Sequence, residues 1–550
     1  MRRYLAGLCA VVFLGLTPMC ARAQSTPFPN PKWFREVSHQ PELPAQLPKP
    51  EHLRDFIIDG KLRLTLDQAI QLTLANNSSV KIDDFNYQNA QYNILRAFAP
   101  FDPLFQASGG MTRGTQPAIL QTQGAQIISS NAQTGQFNYL QTFQTGTNVN
   151  IGFGMSRGSN DNVFDTFNPN LEGVLNFTVT QPLLRGAWLF ANRAPIIVAQ
   201  SNLRQSRADF EIQLRSILEQ TINDYWSVVE ARENLLVLQK SVDQAQASYD
   251  HDKRSLELGA ISSYDIFQSE SELATRKVSV IQAQYTLKQL EDIFRQAIGA
   301  DLDPAAAAMD LDLVEPFEPT GELLTMDAGH AIELAMEKRP EMRATKEQLS
   351  VDDVSIKLAH NEMLPSLTLS GSYTSNGVGG NELNPNVTPP VVIAPGGLAD
   401  ALRQVGTFQY PTYGATLQLN LPIRNRSAEA DLGTSEVSKK RDLYSQRLAE
   451  EQIVLDSRNS IHQLEQAKLS ISAARIARDL SQKNLDAQQK KYDLGAVTIF
   501  FVLDAQTQLA TAEQNLVNAE ISYQLAVTFV DYATGGLLDR YHVQIHDPKP

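Results

Sequence analysis

The chain carries one pattern twice, and this repeat limits its fold more than any single motif. Ala69-Ile70-Gln71-Leu72 returns as Ala331-Ile332-Glu333-Leu334, an offset of 262 residues. The same offset carries Pro103 to Pro365, Phe105 to Leu367 and Gly109 to Gly371. Further on, Leu258-Gly259-Ala260-Ile261-Ser262 returns as Leu494-Gly495-Ala496-Val497-Thr498, an offset of 236. The first copy is therefore 26 residues longer between its proline and its Leu-Gly turn. Self-similarity in fixed order marks a fold built from two equivalent units. Repeat 1 is expected over residues 64–309 and repeat 2 over 310–536, with 537–550 as a tail.

Each copy reads as helix, β segment, very long helix, tight turn, helix. From Ile196 to Leu258 there is neither proline nor glycine. Leu214, Thr221, Val228, Leu235, Val242, Tyr249 and Leu256 recur every seven residues, with Leu203, Phe210, Ile217, Asp224, Ala231, Leu238 and Ala245 as companion seam. That spacing predicts a coiled coil with a polar outer face. Repeat 2 offers a less regular series: Leu448, Leu455, His462, Leu469 and Ile476. In each copy the two shorter helices, stacked end to end, match the long one in length, so a tall column is expected rather than a compact globule.

The β segments sit between prolines and alternate. Phe105, Ala107 and Met111 oppose Gln106, Ser108 and Thr112; Leu175, Phe177 and Val179 oppose Asn176, Thr178 and Thr180. In repeat 2, Leu367, Leu369 and Tyr373 oppose Thr368, Ser370 and Ser372, and Tyr413, Ala415, Leu417 and Leu419 oppose Thr412, Thr416, Gln418 and Asn420. Runs of about ten residues suit tilted barrel strands in a membrane, although a half-buried soluble hairpin shows the same alternation. Four strands cannot close a barrel, for which about eight is the minimum, so a membrane-crossing chain must oligomerise. A further run, Val149, Ile151, Phe153 and Met155, is assigned to a hairpin extension outside the membrane, because an odd number of crossings strands the next helix on the wrong side.

Composition removes other classes. The chain has 550 residues, 42% of them hydrophobic, and a net charge of −14, which argues against a nucleic-acid partner. Arg2 and Arg3, the apolar run Leu5–Leu16 and Ala21-Arg22-Ala23 form a signal peptide, residues 1–23, with Gln24 as the expected mature N-terminus. Both cysteines, Cys9 and Cys20, lie inside it, so no thiol or disulfide chemistry is expected. Residues 24–63 read as a proline-rich extended segment. No later apolar stretch reaches 18 residues, which excludes a helical membrane span. The histidines are scattered without metal-ligand spacing, so neither metal nor cofactor is expected. Gly154-Met155-Ser156-Arg157-Gly158 fits a nucleophile pattern but ends a strand-like run, and no catalytic residue is assigned.

The paired Ala-Ile-x-Leu helices, the strand entries at Pro103 and Pro365, Gln181-Pro182-Leu183-Leu184 and the two Leu-Gly turns together resemble the TolC family of outer-membrane efflux and secretion channels. The resemblance implies a mostly helical fold with membrane β: a homotrimer whose four strands per protomer complete a 12-strand outer-membrane barrel above a periplasmic α-barrel. It implies a passive export duct and no enzyme. Its partners would be a periplasmic adaptor, an inner-membrane transporter and outer-membrane lipid. Leu258, Gly259, Ala260, Leu494, Gly495 and Ala496 would form the tip turns that dock the adaptor. Asp504 and Asp265 would ring a constriction, or Phe500 and Phe501 would gate by dewetting. Asp265 also stands three residues after Ser262, where it would complete a capping box. Ser262 and Thr498 are the expected N-caps of the returning helices. A non-conducting periplasmic coiled-coil scaffold or adaptor is the alternative.

Overall fold

A computed structural model of the chain describes residues 50–118, 126–162, 165–259, 262, 266–319, 321–384, 387 and 391–545. The signal sequence and most of the proline-rich segment lie outside them.

Each repeat opens with two helices rather than one. Helix α1 (Leu66–Asn76) starts at a reciprocal cap: the Thr65 hydroxyl accepts from Gln68 N, and Gln68 Oε1 accepts from Thr65 N at 2.9 Å. The chain breaks at Asn77, which caps α2 (Ser78–Phe98) by accepting from Ser79 N at 2.9 Å. Four strands follow, then the long helix α3 (Trp188–Glu257) of 70 residues and α4 (Ile266–Ala297). Repeat 2 has α5 (Ala328–Lys338), α6 (Pro340–Glu362), a strand region that holds α7 (Leu398–Gly406), the 68-residue α8 (Arg426–Asp493) and α9 (Ile499–Thr534). The break at Arg339-Pro340 mirrors that at Asn77, because proline forbids the helical hydrogen bond there.

The shorter helices do stack end to end. Asn77 Nδ2 donates to Ala297 O, the last residue of α4, at 2.9 Å, which seats α4 against the start of α2. In repeat 2 the end of α9 reaches Lys338 and Arg339, where Lys338 Nζ meets Asp539 at 2.8 Å. Two columns result, α4–α2 beside α3 and α9–α6 beside α8.

The main core lies midway along α3. Leu218, Ile222, Tyr225 and Val229 are buried against Phe294, Ile298, Ile521 and a small sheet. That sheet joins β1 (Ile57–Ile58), β2 (Lys61–Leu64) and β7 (Asp310–Leu313), with β2 and β7 parallel. Tyr225 Oη donates to Leu64 O and accepts from Glu315 N, both at 3.2 Å. Residues 57–63, expected within the N-terminal segment, and Leu64, expected to open the first helix, are therefore part of this sheet and its turn.

One charge cluster joins the repeats. Arg215 on α3 is fully buried, packs over the Tyr532 ring at 4.9 Å, donates to Tyr532 O and lies 3.5 Å from Glu341. Arg339 reaches Glu341 at 2.6 Å and Asp456 at 2.9 Å. Burial pushes the Glu341 carboxyl up, but the Arg339 hydrogen bond and charge outweigh it and leave it below the usual carboxylate range.

The first seam of α3 is buried from Leu214 to Leu235 as expected. The series on α8 is not: Leu448, Leu455, Leu469 and Ile476 all stand exposed, and Ile453, Ile461, Leu464 and Ile471 make the buried face. The seven-residue stripe points away from its own chain.

The large sheet has six strands where the sequence suggests four. They are β3 (Leu104–Pro117), β4 (Ile127–Thr142), β5 (Asn148–Asn160), β6 (Asn170–Pro182), β8 (Ser366–Gly379) and β9 (Tyr410–Asn420), in the spatial order β9-β8-β6-β5-β4-β3 and antiparallel throughout. Strand β5, assigned to an extension outside the membrane, is an integral member of the sheet, and β4 supplies the antiparallel partner that makes the strand count even. Strand β4 escaped notice because Ile127–Thr142 is rich in Ser, Asn, Gln and Gly, so few of its outward residues are large and apolar.

Candidate functional site: a two-faced wall and a turn-capped tip

The sheet separates two chemistries. Because residues paired across antiparallel strands share a face, one rung runs Phe105, Tyr139, Ile151, Phe177, Tyr373, Tyr413 through all six strands. The next rung, on the opposite face, runs Gln106, Asn138, Gly152, Asn176, Thr374, Thr412. The apolar face continues in the stacked rings of Phe105, Phe137 and Phe153, 6.2 and 6.5 Å apart. Among the described residues no helix is long and apolar enough to cross a membrane; this sheet is the element whose outer face is apolar. Helix α7 covers part of that face over β6 and β8, where Ser375 Oγ donates to Val405 O at 2.9 Å. A Cβ on Gly377 would stand 2.1 Å from Ala401 O, so only glycine admits the helix there. Gly154–Gly158 lies within unbroken β5, and Ser156 Oγ bonds Glu172 at 3.3 Å, so the motif has no nucleophile elbow.

The opposite end of the columns is made by the Leu-Gly turns. Gly259 and Gly495 adopt φ of 74° and 70°, the left-handed region that favours glycine. After α8, Gly495 N donates to Tyr492 O at 2.8 Å and Ala496 N to Lys491 O at 2.9 Å, the paired bonds of a Schellman stop. Leu258 and Leu494 project into solvent, 85% and 83% exposed. Thr498 occupies the N-cap position of α9 but makes no side-chain capping bond, contrary to expectation. Ala260 and Asp265 lie outside the described residues, so the Asp265 capping box and its place in a constriction do too; Ser262 is described, but the residues between it and α4 are not.

Asp504 is exposed on α9 and accepts from Gln508 Nε2 at 2.7 Å. Phe500 and Phe501 pack edge to face, 5.6 Å apart, both about half exposed. These three share the first turns of α9, above a small core of Leu485, Ile499, Val502, Leu503 and Leu509.

Two ties near the tip were not read from the sequence. Tyr492 Oη donates to buried Asp252 at 2.7 Å, joining the ends of α8 and α3. Arg276 on α4 is buried and donates to Ser241 O at 3.0 Å, Gln506 Oε1 at 3.2 Å, Leu503 O at 3.2 Å and Thr507 Oγ1 at 3.0 Å. Neither carries a repeat signal: 236 residues on from Arg276 stands Ala512.

Comparisons with known proteins agree with this geometry. The family model for outer membrane efflux proteins matches residues 147–300 and 331–536, which leaves α1, α2, β3 and β4 outside the match. The chain is similar to the outer membrane protein TolC of Salmonella enteritidis, 23% identical over 346 residues that cover 60% of this chain and 62% of that protein. It is also similar to the probable efflux pump outer membrane protein TtgC of Pseudomonas putida, 23% identical over 513 residues, covering 92% and 89% of the two chains. Among solved structures, CusC superposes with a TM-score of 0.63 at 14% identity, over 90% of this chain and 98% of that one. The CmeC outer membrane channel of Campylobacter jejuni superposes at 0.60 with 16% identity, over 94% of each chain. Two matched halves, columns of stacked helices and a two-faced sheet at one end place this chain in the outer membrane efflux protein family, with a TolC-like fold.

Proposed function

We propose that the chain is the outer-membrane duct of a tripartite export machine, working as a trimer with a periplasmic adaptor and an inner-membrane transporter. Residues 1–23 direct its export and are removed. Cargo moves through the helical tunnel and leaves along the polar face of the sheet, and the partner pump supplies the energy. The duct itself does no chemistry. The observation that carries this reading is the sheet: neighbouring rungs, Phe105 to Tyr413 and Gln106 to Thr412, are apolar and polar across six consecutive strands, as a wall between lipid and water requires.

The tip is the gate. Asp504 from three chains forms a ring of like charge that attracts cations in a narrow passage. Phe500 and Phe501 line the same turns and keep them dry. The turns Leu258-Gly259-Ala260 and Leu494-Gly495-Ala496 dock the adaptor. Opening draws the ends of α3 and α8 apart, where Tyr492 and Asp252 now hold them together.

Membrane fractionation and unheated gel electrophoresis test the reading: a duct appears in the outer membrane as a large detergent-resistant species that dissociates on boiling. A water-soluble monomer overturns it. In planar bilayers Asp504→Ala is expected to raise single-channel conductance and weaken block by divalent cations. An unchanged trace removes Asp504 from the gate.

A further inference from the structure

We infer that the wall closes with six strands from every copy, β9 of one chain pairing with β3 of the next, so that the trimer carries an eighteen-strand barrel. The inference rests on the oligomeric duct proposed above and adds how its wall is built.

Both edges of the sheet are free. Every residue of β3, and every residue of β9, is exposed in the single chain. With no water in a bilayer to satisfy them, their outward N–H and C=O groups must pair with another strand. Since all neighbours are antiparallel and the count is even, β3 and β9 run in opposite directions. Copies arranged head to tail therefore continue the antiparallel ladder without a break.

The helices identify the same two flanks. Helix α8 follows β9 directly and carries the exposed seven-residue stripe Leu448, Leu455, Leu469 and Ile476. Helix α2 leads directly into β3 and exposes Ile82, Phe85, Tyr92 and Leu95, and α4, stacked below it, exposes Phe267, Val278, Ile281 and Tyr285. A strand edge continuous with an apolar helix stripe lies on each side of the chain. The occupant that covers both on one side is the other side of a second copy.

The rungs place β3 and β4 in the wall rather than beside it. They pair over 14 residues without a slip in register, and β4 pairs β5 over 13. Phe105, Ala107, Phe137 and Tyr139 share a face with Leu175, Phe177 and Tyr373, whereas farther along the hairpin that face carries Gln133, Asn131 and Arg113. Both exceed the 9–11 residues or so that a tilted strand needs to cross the membrane. If the barrel used only four strands per chain, β9 would have to pair with β5, which already holds β4 along its full length. Barrel width grows with strand number, so at a tilt near 40° eighteen strands give about 36 Å between backbones, against about 24 Å for twelve.

Cysteine pairs decide the closure, since both native cysteines lie within residues 1–23. Gly414→Cys on β9 is combined in turn with Gln106→Cys, Ser108→Cys, Gly110→Cys or Thr112→Cys on β3, and separately with Gly152→Cys, Gly154→Cys or Ser156→Cys on β5, all on the polar face. Oxidation in outer-membrane vesicles is expected to give covalent multimers with at least one β3 partner and none with β5. Links to β5, or an intact oligomer with no β3 link, overturn the inference. Single cysteines from Gln106 to Met111, probed with a water-soluble maleimide in lipid, are expected to label at alternate positions only: Gln106, Ser108 and Gly110. Uniform labelling places the hairpin in water and also overturns it. Loss of the oligomer in the unsubstituted chain would instead refute the duct itself, and fractionation reads that independently.

Discussion

Repeat 1 and repeat 2 carry long helices of 70 and 68 residues, yet the first gives four strands to the large sheet and the second gives two. The helices agree because each long rod must lie beside two shorter ones joined end to end, so length is fixed by its partners. The sheet has no such bound, because adding a strand pair alters circumference and leaves every column in place. The repeats differ inside as well. Repeat 1 holds the buried Arg215, while 236 residues on stands Glu451, exposed on α8 and paired with Arg447 at 3.2 Å. Repeat 1 therefore supplies the buried charge on which both repeats close.

The largest break in that comparison should come from Arg215→Ala. Removing one member of a buried, hydrogen-bonded pair costs about 3–5 kcal/mol, and thermal unfolding in detergent should register it. The positional equivalent, Glu451→Ala, removes only an exposed pair and should stay within about 0.5 kcal/mol. Equal losses would mean that the repeats share the load.

The same cluster sets a pH response. Glu341 is held below its ordinary pKa, so its contribution is present above the unfolded value and fades as pH falls through the folded one. Melting temperature should therefore drop below about pH 4.5, and Glu341→Gln should flatten that part of the curve.

Smaller and symmetric effects are expected at the tips. Gly259→Ala and Gly495→Ala each force a Cβ into left-handed backbone, at about 1 kcal/mol, with nothing within 4 Å of either added atom. Local hydrogen exchange at the two turns should rise to a similar extent. An effect at one turn alone would show that the repeats are unequal there too. The smallest change should be Thr498→Ala: with no capping bond to lose, it should cost less than the ~1 kcal/mol of a working cap.

The columns were legible in the sequence because proline, glycine and the seven-residue spacing act locally. The Leu-Gly turns were legible for the same reason, since left-handed backbone selects glycine. Five of six strands could be read from alternation, β5 among them, although it was assigned to an extension. Strand β4 could not, because a wall facing water and lipid tolerates Ser, Gln and Gly on its rungs. The helix break at Asn77 carries no proline or glycine to signal it, whereas Pro340 marks the one at Arg339, which the match in length passes over. Tyr492–Asp252 and Arg276 were invisible for a different reason: each joins elements far apart in the chain, and one arginine on a helix looks like any solvated arginine. The stripe on α8 was seen, but a periodic pattern does not say whose surface it meets.

The unbroken pairing of β3 with β4 has a consequence for how such molecules change over time. A ribbon that leaves the cell interior side must come back before the next rod can begin, so additions arrive as whole out-and-back loops and never singly. Calibre at the mouth can then be enlarged by inserting one such loop while the distant Leu-Gly turns go untouched. Aperture and control are thus inherited as separate parts of a single chain.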